Sequence, residues 1–279
     1  MDYSELQQAI EGFSSKDIEQ RKRWYSPAAV AYDATRPKYP RELVGKAVDT
    51  AQLAPSSRIL EIGSGPGTAT NSFAELGFRM VCLEPNPDFC EIAKRNCKKY
   101  PSVEMINTSF EEWSLESEAF DAVLAASSMH WIPSEIGYTK ANNALKQNGR
   151  LILFWNKELQ PCESMQKVLS DIYQLHAPHL GHYEDRKTQE GILKGLGQMM
   201  VDSGEFCNLV TSTVETFVTY TPDQYISLIS TYSSYLKLDH STRTDLFAGL
   251  SQRIVEKGGG VIRLSYLSTF HIGQKISVL

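Results

Sequence analysis

The chain has 279 residues, enough for one sizeable α/β core with a smaller addition but not for two assured full domains. Its 33 acidic and 28 basic residues leave it mildly acidic, which argues against a nucleic-acid-binding surface. Apolar stretches no longer than a buried strand exclude a membrane-spanning helix, and five scattered cysteines (Cys82, Cys90, Cys97, Cys162, Cys207) without a Cys-x-x-Cys pair disfavour disulfide and zinc frameworks.

In chain order, a polar start with Asp2 and Glu5 lacks an apolar signal region, so a reducing cytoplasm is the expected location. Tyr3, Leu6, Ile10 and Phe13 recur at helical spacing and predict a short amphipathic helix over 3–13. The run Arg21-Lys-Arg23 reads as a solvated basic face, as do Lys94, Arg95, Lys98 and Lys99 further on. Ser26-Pro27 supplies an N-cap and a first-turn proline for a second helix. Leu43, Val44, Ala47, Val48 and Ala51 predict a third between Pro40 and Leu53. Strands are then predicted near 58–62, 79–84, 103–107, 120–126 and 150–155, alternating with helices, and Asn148-Gly149 closes the last helix. That alternation requires a doubly wound, mostly parallel sheet with right-handed crossovers.

The most informative stretch is Ile59-Leu-Glu-Ile-Gly-Ser-Gly-Pro-Gly-Thr-Ala-Thr70. A buried strand breaks at Gly63, Gly65 and Gly67, and a helix starts near Thr68. Glycine permits the tight turn and the close approach of a ligand to the main chain, and the helix start directs unpaired N–H groups at it. Glu84 ends the next strand about twenty residues on, the spacing at which an acid accepts hydrogen bonds from ribose hydroxyls. Dinucleotide enzymes use Gly-x-Gly-x-x-Gly around a pyrophosphate. Here the pattern is Glu61-x-Gly-x-Gly-x-Gly, and an acid beside the loop suits a ligand carrying positive charge, such as a sulfonium.

At these residues the chain resembles the class I S-adenosylmethionine-dependent methyltransferases. The resemblance implies S-adenosylmethionine as cofactor and a seven-stranded Rossmann-like sheet with an antiparallel last strand. It assigns Glu61, Gly63 and Gly65 to the methionine end of the cofactor and Glu84 to the ribose, and counts Ser64, Pro85 and Asn86 among the cofactor contacts. Ser109 and Phe110 fall to the adenine, with Ser109 as acceptor standing where the family usually has Asp; Ala126 and Ser127, at the end of the fourth strand, are counted among the cofactor contacts. Trp24-Tyr25, Tyr32 and Arg36-Pro-Lys-Tyr-Pro40 look like the N-terminal segment of the trans-aconitate-methyltransferase-like branch, which folds over the cofactor cleft, so Tyr32 and Arg36 join the cofactor contacts. Arg36 could instead pair a substrate carboxylate or fix the N-terminal segment to the core.

Ligands of open α/β sheets bind beyond the carboxyl ends of the strands. Ser127-Ser-Met-His-Trp131 follows the fourth strand, so His130 is a candidate general base and His130 with Trp131 candidate substrate contacts. Beyond Trp155, helical periodicity returns at 163–175 and 189–203. The recurring His176, His179 and His182 lie on a Pro- and Gly-containing loop that suits no metal, so no metal site is expected. Leu209–Tyr220 reads as a long strand, two helices follow near 222–236 and 242–257, and 261–272 forms a last strand.

These readings divide the chain into an N-terminal helical segment over the cleft (1–57), a cofactor-binding core (58–156) and a C-terminal part completing the sheet (157–279). The last carries a helical cap at about 222–257, whose Tyr232 and Tyr235 are candidate acceptor contacts in a chamber closed by cap and N-terminal segment. The expected activity is methyl transfer to a small-molecule acceptor, a carboxylate being one candidate, with no nucleic-acid or membrane partner. The competing readings are an S-adenosylmethionine-binding regulator without turnover and a nucleotide-dependent oxidoreductase.

Overall fold

Strands β1 (Arg58–Ile62), β2 (Arg79–Leu83), β3 (Val103–Ile106), β4 (Phe120–Ala126) and β5 (Leu145–Asn156) run parallel in the order β3-β2-β1-β4-β5. The computed structural model describes residues 2–276. The parallel strands are apolar on both faces because helices cover both. Leu60, Ile62, Val123, Leu151 and Trp155 point to one side, and Ile59, Leu124, Ile152 and Phe154 to the other. The first face is covered by α1 (Tyr3–Ser14), α7 (Ser134–Ala144) and α9 (Arg186–Asp202), the second by α4 (Arg41–Ala51) and α5 (Thr68–Ala74). Asp2 opens α1 with a reciprocal capping box to Glu5, which fixes where that amphipathic helix begins.

Past β5 come β6 (Gln160–Pro161), α8 (Glu163–His176), β7 (Phe206–Tyr220) and β8 (Ile262–Lys275). The last strand, β8, is antiparallel to β5 and to β7 and lies between them, leaving β7 at the edge. Among the described residues the sheet has eight strands where seven are expected, the additional one being the two-residue β6 paired with Leu264 and Ser265. The class expected from the sequence, a mostly parallel α/β sheet with an antiparallel last strand and a helical cap, is the one observed.

Two boundaries differ from expectation. The helix before β5 stops at Ala144, and the strand begins at Leu145, whose side chain is fully buried opposite Phe120. Between β7 and β8 the predicted helix over 222–236 is broken into α10 (Pro222–Ile229) and α11 (Ser233–Leu236), followed by α12 (His240–Gly258). The break exposes the carbonyl of buried Thr231, which accepts from Arg36 Nη2 at 2.9 Å, while the Thr231 hydroxyl accepts from Arg36 Nε at 2.8 Å. The cap packs on α8 and the end of β8 in its own apolar cluster, which contains Leu169, Tyr225, Leu250 and Ile254. Two further helices, α2 (Ile18–Arg23) and α3 (Ala29–Thr35), complete the N-terminal segment, and α6 (Pro87–Cys97) follows β2. Among the described residues no helix is long and apolar enough to cross a membrane.

Candidate functional site

A cavity of about 420 Å³ opens over the carboxyl ends of β1, β2, β4 and β5, a volume in the range of small-molecule sites. The glycine loop forms one wall. Gly63 and Gly65 both have positive φ, +63° and +57°, but for different reasons. A Cβ on Gly63 would stand 2.8 Å from Ser128 Cβ, so this glycine lets the loop after β4 pack against β1. A Cβ on Gly65 would meet nothing within 4 Å and would project into open space. Gly65 is the cradle position.

Glu84 sits at the end of β2 facing that cradle. Its Oε2 accepts from Gly65 N–H at 2.6 Å and its Oε1 from Asn86 N–H at 2.7 Å. Each oxygen keeps a lone pair for a further donor. Burial pushes its carboxyl up to about 7, with the two backbone bonds pulling the other way. Asn86 caps α6 by accepting from Phe89 N–H, and its Nδ2 donates to Ser26 Oγ, tying the N-terminal segment to the cavity rim.

Ser64, Pro85, Ser109, Phe110, Ala126 and Ser127 also line the cavity, as do Tyr32, Arg36, His130 and Trp131. Ser127 holds φ +55°, a strained value for a non-glycine residue, and its N–H donates to Phe154 O. That turn swings His130 and Trp131 back over the strand ends. Ser109 has less to offer than expected, because its hydroxyl already donates to Glu112 Oε2 at 2.7 Å and accepts from Glu112 N–H.

Three expected contacts lie elsewhere. Glu61 does not line the cavity. Strand alternation turns it to the α4–α5 face, fully buried, where Thr70 Oγ1 donates to its Oε2 at 2.6 Å and Cys82 Sγ lies at 3.5 Å. Its Oε1 has no partner, and burial pushes its carboxyl up to about 7. Glu61 therefore ties the start of α5 to the sheet and reaches no ligand directly. Tyr232 and Tyr235 also fall outside the cavity wall: Leu159 N–H donates to Tyr232 Oη at 2.9 Å, and Tyr235 shares a 2.8 Å hydrogen bond with Tyr173. Both rings are turned into the cap's own core.

The cap meets the cavity only through Ser233, whose hydroxyl bonds Tyr25 Oη at 2.9 Å and accepts from Trp24 Nε1 at 3.3 Å. Cap and N-terminal segment thus hold one another directly. Arg36 is the main link, with its guanidinium between the rings of Tyr32 (4.8 Å) and Tyr232 (4.2 Å) and two of its nitrogens committed to Thr231. The basic run is likewise not a free face: Arg21 Nη1 donates to Glu111 Oε1 at 2.6 Å and to Trp131 O at 2.5 Å, and Lys22 bridges Glu112.

Sequence reasoning missed most of the far end of the cavity. Leu6, Ile10 and Phe13 of α1 face Ile192, Leu193 and Leu196 of α9 across it, with Trp155, Asn156, Lys157, Glu158 and Glu184 at its side. The α1 periodicity was visible, but nothing local says what a helix face packs against. His130 stands among Phe13, Trp131 and Trp155, with ring centroids 5.4–5.7 Å away. Burial pulls its pKa down to about 4, so it is neutral at pH 7 and a weak proton acceptor, which tells against the general-base role. Its Nδ1 and the Nε1 of Trp155 have no partner. Among the described residues no group of three or more His, Cys, Asp or Glu is arranged to hold a metal.

Comparison with known proteins agrees with this geometry. Residues 59–149 match the methyltransferase domain family. The chain is 31% identical to an uncharacterized methyltransferase of Mycobacterium tuberculosis over 132 residues, which is 47% of this chain and 51% of that protein. It is 33% identical to the ubiquinone biosynthesis O-methyltransferase of Methylocella silvestris over 96 residues, 34% of this chain and 38% of that one. The chain thus spans about half the length of the curated relatives it matches first. Among solved structures, a candidate type II methyltransferase from Anaeromyxobacter dehalogenans superposes with a TM-score of 0.64 at 18% identity, covering 86% of this chain and 97% of that one. The Haemonchus contortus phosphoethanolamine N-methyltransferase 2 bound to phosphomonomethylethanolamine and S-adenosylhomocysteine gives 0.53 at 15% identity, over 92% and 59% of the two chains. The fold is the Rossmann-like methyltransferase fold.

Proposed function

We propose that this chain is an S-adenosylmethionine-dependent methyltransferase acting on a small molecule. The observation that carries the reading is Glu84 facing the open Gly65 cradle over a cavity of about 420 Å³. The residues present fit the cofactor. Two Glu84 lone pairs suit the two ribose hydroxyls, Gly65 leaves room for the chain bearing the sulfonium, and Ser109 and Phe110 line the cavity on the side where the adenine would lie. When bound, the cofactor supplies a methyl group on a sulfonium, already a strong electrophile. The protein's part is then to hold the acceptor in line and to exclude water. Arg36 and Ser233 join the N-terminal segment to the cap above the site, and α1 and α9 close its far end. This enclosure favours a small acceptor over a nucleic acid.

The arrangement of Tyr32, Arg36 and Tyr39 over the cavity supports the trans-aconitate-methyltransferase-like branch. A carboxylate acceptor is the second reading. It rests on Arg36 Nη1, the guanidinium nitrogen not committed to Thr231. The cytoplasm is the proposed location, on the odd and scattered cysteine set. Isothermal titration with S-adenosylmethionine and with NAD tests the cofactor: binding of the first alone is expected, and binding of NAD alone would establish the oxidoreductase. Transfer of label from methyl-labelled cofactor into a metabolite mixture separates the enzyme from a cofactor-binding regulator.

A further inference from the structure

Between β5 and β6 the backbone carries one residue too many. Four steps lead from Asn156 to Gln160, while the partner strand takes three from Ser268 to Ser265. The surplus makes a bulge at 157–159, a device that re-aims a side chain beside a site. Its flanks are fastened: Lys157 N–H donates to Leu267 O at 2.9 Å, and Leu159 N–H donates to Tyr232 Oη at 2.9 Å. Lys157 Nζ is bridged to Glu184 at 2.8 Å. Glu158, between them, is exposed to the cavity. It forms no hydrogen bond or ion pair among the described residues.

The surroundings make a solvated surface acid a poor description. Arg36, Lys157, Glu184, Tyr25, Tyr232 and Tyr235 are its charged and titratable neighbours. Enclosure by protein holds its carboxyl above the usual carboxylate range, against the pull of Arg36 and Lys157. A carboxylate with no partner, exposed to the cavity just beyond the carboxyl end of β5, is placed to receive a ligand's donor. Arg36 and Glu158 balance one another and Lys157 balances Glu184, so this corner has no net charge to offer an anion.

We infer that Glu158 recognises the methyl acceptor, its carboxylate accepting a hydrogen bond from an O–H or N–H nucleophile whose apolar body lies between α1 and α9. The inference rests on the methyltransferase reading and narrows it to alcohols, phenols and amines in preference to carboxylates.

Benzyl alcohol, benzylamine and benzoate share one ring and differ in the group offered to Glu158. Their affinities are to be measured by isothermal titration on the protein saturated with S-adenosylhomocysteine, in wild type, Glu158→Gln and Glu158→Ala. The alcohol or the amine should bind wild type at least about tenfold tighter than benzoate, as expected for one bond to a charged acceptor. Amine ahead of alcohol identifies a cationic acceptor, and the reverse order a neutral one. Both variants should lose the preference while S-adenosylhomocysteine affinity stays unchanged, which also reports intact folding. Benzoate binding tightest, absence of discrimination (including no binding of any probe) or a preference that survives in Glu158→Gln overturns the inference. Failure of wild type to bind S-adenosylhomocysteine overturns the reading beneath it, and the inference with it.

Discussion

At one end of the cavity, Gly63, Gly65 and Glu84 come from a single strand–loop–helix–strand unit within residues 58–84; at the other, Phe13, His130, Trp155 and Leu196 come from four separate segments. The first end works through backbone. Its geometry follows from positive φ at two glycines and from a carboxylate bonded to two main-chain N–H groups. The second end works through side chains, whose position depends on how α1 and α9 lie on the sheet and on the bulge after β5. A backbone site tolerates changes around it and few within it; a side-chain site can change its ligand one residue at a time.

The strongest way to break the comparison is Gly65→Val. The valine would need a left-handed backbone and would fill the open cradle, so S-adenosylmethionine binding in a titration should vanish while circular dichroism keeps the α/β signature. Normal binding would remove the loop from the site. Glu84→Ala should come next. Loss of even one ribose bond to a charged acceptor costs about 1.5–3 kcal/mol, roughly tenfold to over a hundredfold in affinity. The N–H groups of Gly65 and Asn86 lose their acceptor as well, so melting temperature should also fall.

Tyr232→Phe sharpens the contrast from the other side. It leaves the buried Leu159 N–H without its acceptor, a loss of about 1–3 kcal/mol in stability. Cofactor affinity should stay constant while binding of acceptor-like alcohols weakens, because the bulge holding Glu158 is loosened. Equal weakening of both would mean that the two ends are not independent.

The last expectation is one of direction alone and concerns pH. Glu61 and Glu84 are each raised by burial from 4.5 to about 7. The folded protein then holds protons that the unfolded chain has released. Their contribution to stability is complete below about 4.5 and is lost as pH rises through about 7, so the ligand-free melting temperature should fall between pH 5 and pH 8. Glu61→Gln removes one of the two groups and should flatten that slope. An unchanged slope would remove Glu61 from this account.

The cofactor end was largely legible in the sequence because its signals are contiguous: apolar run, spaced glycines, helix start, apolar run, acid. Even there, the motif implies that Glu61 faces the ligand, whereas it is buried on the α4–α5 face, since spacing gives a residue's place on a strand but not which face its neighbours cover. The resemblance makes Ser109 an acceptor for the ligand, whereas Glu112, three residues on, engages its hydroxyl. The tyrosines of the cap stand at helical spacing in the sequence, yet spacing has no address: they fall on two helices and the break between them, and close on α8 and the bulge.

The sequence by itself determined the alternation of strands and helices, the glycine loop and the acid after the second strand. Each depends on residues near one another in the chain, where backbone preference and hydrophobic period act directly. Only the tertiary structure decided that α1 and α9 wall the far end of the cavity, that Arg36 joins the N-terminal segment to the cap, and that Glu158 enters the cavity on a bulge. Those arrangements arise from contacts between distant segments. One surplus residue opposite Ser265–Ser268 turns a side chain inward only after β8 has inserted beside β5.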